Sequence, residues 1–121
     1  MAVQLFDDLF SALRNDVDNW NRSLAPNSPR ILGIEELRTV GHDHVNRMIL
    51  INHPGASPGA AIFLGHLSIM VAYFYRQGFD IRYAWDDQQR AGSLHMEGRE
   101  WTVEEVSERI LAPIFEELGG N

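Results

Sequence analysis

The chain has 121 residues, enough for one domain over residues 1–121 with one core and too few for two ordinary domains. Its net charge of −7 disfavours nucleic acid and anionic membrane surfaces by repulsion. It has no cysteine, which excludes a disulfide, a thiolate metal site and a cysteine nucleophile. All ten basic residues are arginine, a bias expected of a GC-rich bacterial genome and one that also suits paired, planar contacts. The first residues lack a basic start followed by an apolar run, so no signal peptide is read there and a cytoplasmic location is expected.

Residues 3–24 read as an amphipathic helix. Phe6, Leu9, Phe10, Leu13, Val17, Trp20 and Leu24 recur at three- and four-residue steps and form one broad stripe. A proline-rich loop comes next, at residues 25–30. Residues 34–41 and 45–53 read as two strands joined by a turn at 41–44. The second contains Met48-Ile49-Leu50-Ile51 without alternation, the pattern of a central strand buried on both faces.

Residues 55–59, Gly-Ala-Ser-Pro-Gly, match the G-x-S-x-G pattern of a nucleophile elbow. Pro58 argues against that reading, because the residue after the serine should supply an oxyanion-hole N–H and proline has none. Ser57 reads instead as the N-cap, and Pro58 as the first position, of a helix over residues 59–77. That stretch is almost wholly apolar from Ala60 to Tyr75 and is stopped by Gly78. Interrupted by His66 and Ser68, it is short for a bilayer span and reads as a buried central helix.

Residues 79–85 alternate cleanly, with Ile81, Tyr83 and Trp85 on one face. Residues 86–92 form a loop, and 93–97 return as a strand with Leu94 and Met96 on the apolar side. The last helix opens on the capping box Thr102-Val103-Glu104-Glu105, and Pro113 is expected to kink or break it near Leu111.

The expected fold is α+β: an antiparallel sheet of about four strands with helices packed on it, in the order α-β-β-α-β-β-α. No metal or other cofactor is expected. His42 and His44 flank Asp43 in a turn without a clear fourth ligand, and no phosphate-binding glycine loop occurs. The aromatic surplus of residues 73–85, added to that of the first helix, suggests an interface as well as a core. The expected function is therefore that of a small acidic, non-catalytic protein-binding protein, adaptor- or chaperone-like, forming a homodimer through the first helix or the Tyr83–Trp85 strand. The alternative is a small-molecule-binding protein or enzyme. Its pocket would lie between the central helix and the sheet near His66, with Tyr73 and His95 as further polar groups.

Overall fold

The computed structural model describes residues 2–40, 45–53, 59–65, 68–88 and 90–119. A long N-terminal helix, α1 (Ala2–Arg22), precedes seven strands. These are β1 (Gly33–Val40), β2 (Val45–Asn52), β3 (Ala60–Leu64), β4 (Ser68–Tyr73), β5 (Phe79–Asp86), β6 (Ala91–Met96) and β7 (Arg99–Trp101). A C-terminal helix, α2 (Val103–Glu117), closes the chain. The strands form one antiparallel meander in sequence order, β1-β2-β3-β4-β5-β6-β7. Both helices lie on the same face of this sheet and pack against each other.

The architecture corrects the expected one. Among the described residues there are seven strands rather than about four, and two helices rather than three. The segment read as a central helix is the β3–β4 hairpin, paired from Ala60↔Tyr73 to Leu64↔Ile69. Its residues alternate, but the alternation is hidden. Ile62, Ile69, Val71 and Tyr73 point to the helices and are buried, while Phe63 and Met70 point the other way and are just as apolar. A strand apolar on both faces shows no period of two, which leaves β-branched composition as the only local signal. Ser57 and Pro58 lie outside the described residues. The next element in the chain is the β3 strand, so neither the capped helix nor the strand–turn–helix setting of a nucleophile elbow is present.

The β7 strand is a further addition to the expected fold. Glu97 and Gly98 both have positive φ, 55° and 79°, as a two-residue primed hairpin turn requires. This turn pairs Met96 with Arg99 and Leu94 with Trp101 before α2 begins. The capping box of α2 forms as expected: Thr102 accepts from Glu105 N, and the Glu105 side chain accepts from Thr102 N.

The core fills the space between the helices and one sheet face. Phe6, Leu9, Leu13 and Val17 of α1 meet Ile49, Ile62 and Ile81 of the sheet and Ile110 and Ile114 of α2. The apolar stripe of α1 is thus spent inside the molecule. Ser107, fully buried on α2, donates to Asp16 Oδ2 at 2.6 Å and ties the two helices together.

Two polar devices brace this layer. Arg47 on β2 is 7% exposed and lies under the Phe6 ring. Its guanidinium donates from Nε and Nη2 to the two oxygens of Glu36 on β1, at 2.6 and 3.0 Å, and from Nη2 to Asp7 on α1. This planar fork pins α1 to the sheet edge. The hydrogen bond from Arg47 holds the Glu36 carboxyl below its ordinary value of 4.5. A carboxylate whose folded pKa is depressed contributes stability above its unfolded pKa, and that contribution is lost as pH falls through the folded value. Denaturant titrations should therefore show stability dropping below about pH 4.5, and the drop should be shallower in Glu36→Gln.

Tyr73 is the second brace. Its hydroxyl donates to Ile110 O at 2.7 Å and lies 3.5 Å from Arg109 O. Pro113 has no N–H to offer the Arg109 carbonyl, and the Tyr73 hydroxyl binds α2 at the next carbonyl, one residue on. The break expected near Leu111 does not occur, and α2 runs unbroken past Pro113. Burial pushes the Tyr73 phenol up to about 12. Tyr73→Phe should cost about 1 kcal/mol in chemical denaturation.

Candidate functional site

Among the described residues, no helix lies on the second face of the sheet. Register assigns its residues. One cross-strand row runs Leu37–Met48–Phe63–Met70 across β1 to β4. The next row runs Leu50–Ala61–Ala72, with Glu35 at the edge. Beyond it the Phe74 ring lies over Gly59, where a Cβ would come within 2.9 Å of the ring.

Among the described residues, five large apolar side chains are exposed. Four of them, Leu37 (38%), Phe63 (36%), Met70 (42%) and Phe74 (51%), belong to this one surface. Scattered exposed apolar residues are ordinary, but a contiguous set on an open sheet face is not. The face changes character at β5. There the outward residues are Asp80, Arg82 and Ala84, joined by Ser93 and His95 on β6 and Glu100 on β7. The open face is therefore apolar over β1–β4 and polar over β5–β7.

The sequence-derived candidates fall in different places. Tyr73 points into the core and braces α2. Tyr83 faces the helix layer, half-buried, with a buried hydroxyl that has no hydrogen-bond partner among the described residues. Trp85, at the far end of the same strand, is 42% exposed on the helix side. His95 points out of the open face, with Nε2 2.8 Å from Ser93 Oγ, beside Arg82. His66, His42 and His44 lie outside the described residues. The structure thus brings none of Tyr73, Tyr83 or Trp85 together with His95.

Leu37, Met48, Phe63 and Met70 are site residues that sequence reasoning does not single out. Their signal is present, in the unalternating Met48–Ile51 run and the apolar stretch from Ala60 to Tyr75. Both patterns fit burial on two faces equally well. In the structure Ile49 and Ile51 are covered, while Met48 and Leu50 on the opposite face are only half-buried.

Among the described residues no three histidine, aspartate or glutamate side chains converge as a metal site, and no helix is long and apolar enough to cross a membrane. No protein-family model, curated protein or solved structure matches the chain.

Proposed function

We propose that the protein is a protein-binding module that acts by self-association, two copies meeting through the apolar half of the open sheet face. The observation that carries this reading is the Leu37–Met48–Phe63–Met70 row, exposed on a face that no element among the described residues covers. The row holds no charge. A two-fold axis running along the strands between β2 and β3 sets Leu37 over the second copy's Met70 and Met48 over its Phe63. The contacts of this row bury no charge, and Glu35, exposed at the edge of the next row, falls over the second copy's Ala72 at the rim. Methionine suits such a surface because its unbranched thioether adapts to the shape it meets.

The size of the patch sets the strength. Four strands at ~4.8 Å spacing and about five residues of length give roughly 300 Å² in projection. Two such faces bury about 800 Å² in total once side-chain relief is included, below the ~1,200 Å² of a standard stable interface. The assembly is accordingly weak and concentration-dependent. Sedimentation velocity should show a 13.8 kDa monomer when dilute and a mass rising toward twice that at high micromolar concentration. Phe63→Glu and Met70→Glu, checked for folding by circular dichroism, should remain monomeric. A wild-type protein that stays monomeric at high micromolar concentration would contradict the reading.

A further inference from the structure

The polar half of the open face contains a hollow of about 420 Å³, lined in part by Arg82, Ala84, His95, Met96 and Gly98. We infer that this hollow is a binding site for a small organic carboxylate, held by Arg82 and His95.

The charge pattern points to an anion. Arg82 and His95 are directly opposed across the β5–β6 pair, so their side chains rise side by side from the sheet. Arg82 makes no ion pair or hydrogen bond with any described residue, Asp80 on the same strand included. The other two charged carboxylate and guanidinium groups that line the hollow, Glu97 and Arg99, are engaged elsewhere, and Glu100 stands on the far side of His95 from Arg82. Arg99 is held by Glu105 and Glu100 O and lies over the Trp101 ring, and Glu97 is 3.8 Å from Arg109. A protein of net charge −7 thus leaves one guanidinium fork open at the hollow.

Ser93 positions the second donor. Its Oγ lies 2.8 Å from His95 Nε2. With Ser93 as donor to Nε2, Nδ1 carries an N–H, a second donor on the residue opposite Arg82. A planar carboxylate fits the fork in bidentate fashion. Ala84 gives the hollow an apolar wall on the open face, which favours a carboxylate on a small hydrocarbon body over inorganic phosphate. The site lies on β5–β7, apart from the apolar rows of β1–β4, and does not depend on self-association.

Titration with sodium benzoate, and separately with sodium phosphate, at constant ionic strength and monitored by two-dimensional amide NMR, tests the assignment. Benzoate should give saturable shifts centred on Ala84, His95 and Gly98, and phosphate should bind more weakly. Affinity for benzoate should fall about tenfold or more in Arg82→Gln without rescue by Arg82→Lys, because lysine lacks the planar fork. Ser93→Ala should weaken binding less, and Phe63→Glu should leave it unchanged. Absence of saturable shifts, shifts that survive Arg82→Gln, or phosphate binding as tightly as benzoate would each overturn the proposal.

Discussion

Replacing Arg47 with alanine should destabilise the protein by about 3 kcal/mol or more, the usual consequence of removing one partner of a buried ion pair. Arg47 is 7% exposed, and Glu36, whose side chain is only 14% exposed, would be left without its main partner. The packing of the guanidinium against Phe6 would go as well. Two controls separate this effect from a loss of surface charge. Arg38→Ala removes the second, exposed partner of Glu36 and should cost less than about 1 kcal/mol. The double variant Arg47→Met/Glu36→Leu removes the buried charges together and should be less damaged than Arg47→Ala alone. Urea denaturation of the four proteins measures all of these effects.

Ile62 and Phe63 give the second large contrast. Ile62→Ala should cost about 3 kcal/mol, because Ile62 is fully buried under the helices and its truncation opens a cavity. Phe63→Ser, one residue later on the opposite face, should cost about 1 kcal/mol or less. A fully buried helix through residues 59–77 would make both changes severe. The adjacent pair therefore tests by thermal or urea denaturation whether β3 has one covered and one open face.

The legible and illegible parts of this chain divide along one physical line. Where one face of an element is polar, the sequence is readable. The α1 stripe, the alternation of β5 and the capping box of α2 are all visible in it, and the structure places them where they are expected. Where both faces are apolar, the period of two vanishes. Met48 and Leu50 mask the alternation of β2, and Phe63 and Met70 mask that of β3 and β4. The outward apolar residues that disguise a hairpin as a helix are the same ones that make up the candidate docking surface. Local pattern reports that a residue is apolar, but not whether anything in the fold will cover it. The seventh strand is illegible for another reason: three residues behind a Glu97–Gly98 turn are too few to show any period.

Cysteine crosslinking across the two-fold tests most directly whether the open face meets a second copy. The chain has no cysteine, so Met48→Cys and Phe63→Cys each carry one thiol. The two variants are mixed at high micromolar concentration with a bismaleimide of about 10 Å reach, the spacing of sheets packed face to face. The account predicts a covalent dimer in this mixture, well above the yield when Glu104→Cys, exposed on α2, replaces either variant. A yield no greater than that control would contradict it.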